Sequence, residues 1–262
     1  MAVNAVAVPW PQPSQAFNVW YRHFLCYLRF YRTSILLNFM EPVTSLVALG
    51  IGLGHYIAHI GGTSFIQFIG PGLVCVTAMN SVSFDTLFST YNFLFENKVY
   101  PSMITSPLEI EDLVVGTMLW EATRSVIYGG TFLIVITAFG LVHSFTAILV
   151  VPVLALAGLM FAAPALCVAA LARQFQQMFY YMTLVITPMF MFSGVFFPPS
   201  RLPHAVQWAI WFTPLYHVAH LARALVLGSL SSSLLVDIAW ILVFTFLVSL
   251  FPTGLIRRRL LV

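Results

Sequence analysis

Thr187 to Gly228 reads TPMFMFSGVFFPPSRLPHAVQWAIWFTPLYHVAHLARALVLG. It opens on an apolar run, and then Phe196 and Phe197 meet Pro198-Pro199. A single helix cannot continue there, because proline lacks the amide donor and crowds the preceding residue. Two short helical patterns follow, around Ala205 to Phe212 and around Tyr216 to Leu227. Thr213-Pro214 separates them and Gly228 closes the second. Backbone groups released by such breaks find no partner in bare lipid and need protein or water beside them. The stretch predicts a membrane helix followed by a helical hairpin that dips back into the membrane from one face. The plainer alternative is an external loop carrying two surface helices.

Composition agrees with a membrane setting. Of 262 residues, 60% are hydrophobic and 7% are charged, and the mean hydropathy is +0.95. Soluble domains carry about 25% charge. A chain this poor in charge cannot cover a water-facing surface, so the expectation is an all-α integral membrane protein. The net charge of +3 is too small to argue for a nucleic-acid partner. Cys26, Cys75 and Cys167 form an odd, scattered set with neither a disulfide frame nor a metal motif. Met1 to Ser14 holds Pro9, Pro11 and Pro13 and reads as an irregular tail rather than a cleavable signal.

From Gln15 to Thr33, Phe17, Trp20, Phe24, Tyr27 and Tyr31 form one aromatic stripe, with Arg22, Arg29 and Arg32 on the other side. That pattern predicts an amphipathic helix lying in the headgroup region; a soluble core helix is the alternative. Six spans are then expected, each near the ~20 residues a bilayer requires. They run roughly Ile35 to Ile57, Phe68 to Tyr91, Leu113 to Phe139, Phe145 to Leu171, Phe179 to Phe196 and Leu234 to Ile256. With six spans, the three N-terminal arginines, Lys98, Arg173 and the run Arg257 to Arg259 share one side, and that side is read as the cytoplasm. Arg201 and Arg223, both in the broken stretch, fall on the other side.

The most polar segment is FENKVYPSMITSPLEIEDLVVG, between spans two and three. Pro101 and Pro107 bracket a piece long enough for one or two helical turns. It reads either as a solvated loop or as a short rigid helix that passes a push from a soluble partner into the membrane. Glu41-Pro42 lies in span one, Asp85 in span two, and Glu121 and Arg124 in span three at the i, i+3 spacing that allows pairing. Such charges mark either a gate or substrate path, or a pair that holds spans together. Gly50, Gly52 and Gly54 sit inside a hydrophobic span with no following βα unit, so they suit helix packing rather than a nucleotide loop. His55/His59, with His217 and His220, could suggest a metal, but no acidic residue or cysteine stands near His55/His59 in the sequence. Trp208, Trp211 and Tyr216 read as an interfacial aromatic belt or as a surface for stacking on sugar rings.

No catalytic set is visible: there is no GxxxxGK[ST], HExxH or GxSxG. A transporter of this kind is driven by ions or by a separate ATPase. Ion-driven carriers often repeat their broken helices in both halves, and here the break occurs only after span five. A lipid-acting membrane enzyme would need a His/Asp/Glu constellation that the sequence does not display.

Three stretches carry a family resemblance: NFMEPVTSLVALGIGLG at the first span, MITSPLEIEDLVVGTMLWEATRS at the polar segment, and FSGVFFPPSRLPHAVQWAIWFTPLYHVAHLARALVLG. The chain resembles the membrane subunit of type-2 ABC exporters, closest to the NodJ-like branch, over nearly all of its length after Gln15. The resemblance implies six spans, a connecting helix at 15–33, a coupling helix at 96–107 and an external re-entrant hairpin at 197–228 between spans five and six. It implies coupling to an ATPase through Glu96, Lys98, Pro101, Met103 and Pro107; it offers no substrate-binding motif, and Phe196, Phe197, Arg201, Trp208, Trp211, Tyr216 and Arg223 of the broken stretch are the candidate substrate exit. It also implies two copies of the chain with two ATP-binding subunits that bind the ATP and Mg, in the inner membrane with both termini cytoplasmic. The implied cargo is a lipo-oligosaccharide, lipid-linked glycan or lipid; small hydrophobic drugs are the alternative.

Overall fold

The computed structural model describes residues 11–54, 59–60, 63–199 and 202–260. Among them the chain is overwhelmingly helical. The exception is a two-residue antiparallel pairing, His59 with Ser64 and Ile60 with Thr63.

Helix α1 runs Pro13–Val47 and passes into a wider π-type turn at Ala48–Leu53. The expected boundary between an interfacial helix at 15–33 and a separate first span is therefore absent, and one helix runs from the first stretch into the second. No glycine or proline stands between Gln15 and Met40 to break it, and Pro42 is carried within it. Gly50 and Gly52 of the GxGxG run fall in the π-type turn, and Gly54 follows it. Only Gly50 is pressed against another element, the Ile66 side chain, while Gly52 faces open space.

Helix α2 spans Phe65–Tyr91 and continues through a π-type turn to Glu96. Helix α3 is short, Val99–Met103, and α4 spans Ile110–Ala138. A 3₁₀ turn at Phe145–Leu149 leads into α5, Val150–Leu171. The fifth expected span is α6, Gln176–Tyr181, a π-type turn, and α7, Thr187–Phe192. It stops four residues before the expected end at Phe196. The chain turns at Gly194, whose φ of +73° suits glycine alone, before Pro198 is reached. Helices α8, His204–Trp211, and α9, Pro214–Leu227, form close to where the sequence puts them, and Gly228 ends α9 with a φ of +76°. Helix α10 spans Leu234–Leu260.

Helices α2, α4 and α5 make the centre, each packed on the other two. Helix α1 lies on α4, α10 lies on α5, and α9 is wedged against α2, α5 and α10. Close approach is possible because α5 presents Ala157, Ala162, Ala163, Ala165 and Ala169, all fully buried. At Gly158 a Cβ would stand 2.6 Å from Ala122 Cα and 2.7 Å from the Glu121 carbonyl oxygen, so the α4–α5 contact is backbone against backbone. Among the described residues, three helices are both long and apolar enough to cross a bilayer: Phe65–Glu96, Phe145–Leu171 and Leu234–Leu260. Large apolar side chains left outside, such as Leu242, Phe246, Leu250 and Phe251 on α10, make a surface suited to lipid rather than water.

Candidate functional site: two ends of the bundle

The polar chemistry gathers at two ends separated by α2, which is 27 residues long and hence about 40 Å. At the first end, the N-terminal arm, the α2–α3 segment, the start of α4 and the end of α10 converge. The Gln12 amide donates to Asp112 Oδ1 at 2.5 Å, and Asp112 also caps the start of α4 with Glu109. Arg257 reaches Glu111 at 2.5 Å, and Arg259 donates to the Ala172 carbonyl at 2.9 Å. The end of α10 is thus tied both to the start of α4 and to the residue after α5.

The polar segment begins with a turn at Lys98, whose φ is +48°. The helix that follows contains Pro101 rather than being bracketed by it. Pro101 fits because it lies in the first turn, where its missing N–H has no intrahelical partner to lose. The helical part is only Val99–Met103, well short of 96–107. Glu96 closes the π-type turn after α2, and Pro107 lies beyond the helix. Tyr100 anchors the segment: its ring is fully buried, and its hydroxyl meets Thr117 Oγ1 of α4 at 3.3 Å. Burial pushes its phenol above the usual tyrosine range. Arg22 of α1 lies over the Phe93 ring and donates to Met103 Sδ at 3.6 Å. Glu96, Lys98 and Pro107 remain exposed, while Pro101 and Met103 are half-buried.

Between the ends, the expected Glu121–Arg124 pair does not form. Arg124 instead bonds Asp85 of α2 at 3.0 Å and lies over the Tyr128 ring. Glu121 is fully buried, and among the described residues neither carboxylate oxygen has a hydrogen-bond partner. The Asp85–Arg124 pairing therefore joins α4 to α2 rather than two residues of α4. Glu41 belongs to α1, but its side chain lies outside the described residues.

At the second end, α8, α9, the start of α2 and Pro198-Pro199 line an open cavity of about 840 Å³. Trp208, Trp211, Tyr216 and Arg223, four residues singled out from the sequence, line it together. Phe196 and Phe197 do not line it; Phe196 packs edge-on against Phe190 at 5.0 Å. Arg201 lies outside the described residues. Arg223 donates from Nε to the Phe68 carbonyl at 3.0 Å and from Nη2 to those of Gly194 and Val195, and its guanidinium sits 3.9 Å above the Phe68 ring. It thereby ties α9 to α2 and to the turn after α7. Helix α9 is not a surface helix: Leu215, Val218, Ala222 and Val226 are buried in the core. Helix α8 is the exposed member, with Trp208 65% accessible.

Sequence reading missed Phe68, His204, Gln207 and His220 as lining residues, and it missed Asp237 altogether. Asp237 at the start of α10 accepts from Nδ1 of both His217 and His220, each at 2.7 Å. His217 also meets the Trp211 carbonyl at 2.7 Å and stacks on Trp240. The histidines were visible in the sequence. Their acid stands 17 and 20 residues further on, beyond any local motif.

Comparison with known proteins gives this arrangement its family. The model of the ABC-2 type transporter family matches residues 14–227, from the first turn of α1 to the last residue of α9. The chain belongs to the ABC-2 type transporter family. As an ABC-2 permease it is a membrane transport subunit that works with a separate ABC ATP-binding subunit. It is 34% identical to Nodulation protein J of Rhizobium leguminosarum bv. viciae over 93% of this chain and 94% of that one. It is 32% identical to Nodulation protein J of Bradyrhizobium diazoefficiens over 95% and 96%. A more distant relative, the inner membrane transport permease YadH of Escherichia coli, is 22% identical over 77% and 78%. The two Nodulation protein J relatives, matched over 93% and 95% of this chain, extend the likeness past α9.

Proposed function

We propose that two copies of this permease and two ATP-binding subunits form an exporter of an amphipathic substrate in the inner membrane. Each copy crosses six times with both termini cytoplasmic, and the α8–α9 hairpin dips in from the outer face. The substrate is a lipo-oligosaccharide, a lipid-linked glycan or a lipid. The ATP-binding partners hold the ATP and Mg, dock on the segment 96–107 and draw the cytoplasmic ends together.

The observation that carries this reading is the short helix Val99–Met103. It stands between two long helices, is pinned inward by Tyr100 and leaves Glu96 and Lys98 facing outward. A rigid, anchored segment with exposed charges can transmit a push, whereas a solvated loop would dissipate it. The aromatic cavity at the other end suits a substrate with both apolar and polar parts. Export of small hydrophobic drugs is the second reading, favoured by the apolar groove of about 600 Å³ between α7 and α8.

Cysteine placed at Met103 is expected to cross-link to a cysteine on the ATP-binding partner and to be shielded from a bulky thiol reagent in the complex. Full labelling of that cysteine in the assembled complex rejects the docking assignment. The complex reconstituted in liposomes is expected to move glycolipid or lipid with stimulated ATP hydrolysis. Stimulation and movement by soluble drugs alone assigns the drug reading instead.

A further inference from the structure

The lining of the cavity at the hairpin end carries a cation and, among the described residues, no carboxylate; the nearest acid shown, Asp237, stands behind His220, bonded to it at 2.7 Å. The polar lining is Arg223, His220, His204 and Gln207. The ion pairs of the described residues join Asp85 to Arg124, Asp237 to His217 and His220, and Glu111 to Arg257. None includes Arg223. The three groups it bonds are neutral backbone carbonyls, bound through Nε and Nη2. Its Nη1 has no hydrogen-bond partner among the described residues. A partly buried cation held by neutral acceptors and an aromatic face keeps its full charge and gains from an anion brought to it.

We propose that this cavity is an anion site that takes the phosphate of a lipid headgroup, with Arg223 as its counter-ion and His204, His220 and Gln207 as donors around it. With Nε and Nη2 held by the carbonyls, the two N–H groups of Nη1 remain to make a charge-assisted contact to phosphate, about twice as strong as a neutral hydrogen bond. The rest of the lining decides between a free ion and a headgroup. Phe68, Trp208, Trp211 and Tyr216 supply an apolar wall that inorganic phosphate does not need and a lipid backbone does. The volume falls within the range of about 300–1,000 Å³ usual for pockets that enclose an organic ligand. Exposed Trp208 sets the mouth at the kind of surface where membrane and water meet. The proposal takes from the permease reading only the placement of this end at a membrane face; the bound lipid need not be the exported molecule.

The full chain in detergent is titrated with dioctanoyl phosphatidylglycerol, dioctanoyl glycerol without a phosphate, and inorganic phosphate, with retention read by native mass spectrometry. The phosphate-bearing lipid is expected to bind at least about tenfold tighter than the phosphate-free one. Arg223→Gln is expected to abolish that preference and Arg223→Lys to keep part of it. Because Arg223 also joins three backbone segments, a second variant leaves those bonds alone. His204→Glu puts a negative charge on the cavity wall while an acidic residue favours the first turn of α8. It is expected to weaken the phosphate-bearing lipid about tenfold or more and to leave the phosphate-free one unchanged. Equal binding of the two lipids, or unchanged binding by His204→Glu, overturns the anion site. Displacement of the lipid by inorganic phosphate at equal concentration overturns the headgroup assignment. None of these outcomes touches transport by the complex, so the permease reading stands or falls separately.

Discussion

Replacing Asp85 with Asn removes the partner that Arg124 has chosen and tests whether that pair holds the bundle together. At 3.0 Å the attraction is about 5–6 kcal/mol in a medium of effective dielectric about 20. The cost of withdrawing both charges from water offsets much of it, so the net worth of the pair is far smaller. Removing one partner is a different matter, because it strands the other. With the side chains 17% and 27% accessible, Arg124 is left largely uncompensated in Asp85→Asn. Glu121, one turn away on the same helix, can take over part of the role. The expected loss is therefore about 3 kcal/mol, the low end for a broken buried pair. At roughly 2–4 °C per kcal/mol for a chain of this size, the melting temperature falls by about 6–12 °C. Thermal unfolding of the purified permease in detergent reads this directly for Asp85→Asn, Arg124→Gln and the double variant. The double variant is expected to be at least about 1 kcal/mol more stable than the sum of the single losses predicts. Additivity within about 0.5 kcal/mol would refute the pairing argument. A loss of export with no loss of stability would move the pair from scaffold to substrate path.

Two further predictions concern the contacts on either side of that pair. Gly158→Val drives a side chain into the backbone of Ala122 and Glu121 and is expected to cost at least about 1–3 kcal/mol; an unchanged melting temperature would show that α4 and α5 are not in close contact. Tyr100→Ala empties a fully buried site and is expected to cost about 3–5 kcal/mol locally. In the complex it should uncouple ATP hydrolysis from transport more than Tyr100→Phe, which keeps the ring and loses only the contact to Thr117. Equal transport per ATP in the two variants would remove Tyr100 from the coupling path.

Much of this permease could be read along the chain. The low charge excludes a water-facing surface, and prolines and glycines placed α8 and α9 within a residue or two of their ends, because local backbone chemistry sets where helices stop. The same local logic misplaced the end of α7, since Gly194 acts before the more conspicuous Pro198-Pro199. It also drew a boundary at Thr33 that the backbone does not observe. What the sequence could not decide was which polar groups meet. Glu121 and Arg124 have ideal helical spacing, yet Arg124 turns to Asp85 on another helix. Asp237 joins two histidines 17 and 20 residues away, and Arg223 finds its carbonyls 28 to 155 residues away. Helix ends follow from forces that act within one turn of the chain. The partners of charges follow from which helices pack side by side, and in this molecule the small residues of α5 and the wedge of α9 determine that only once the bundle has closed.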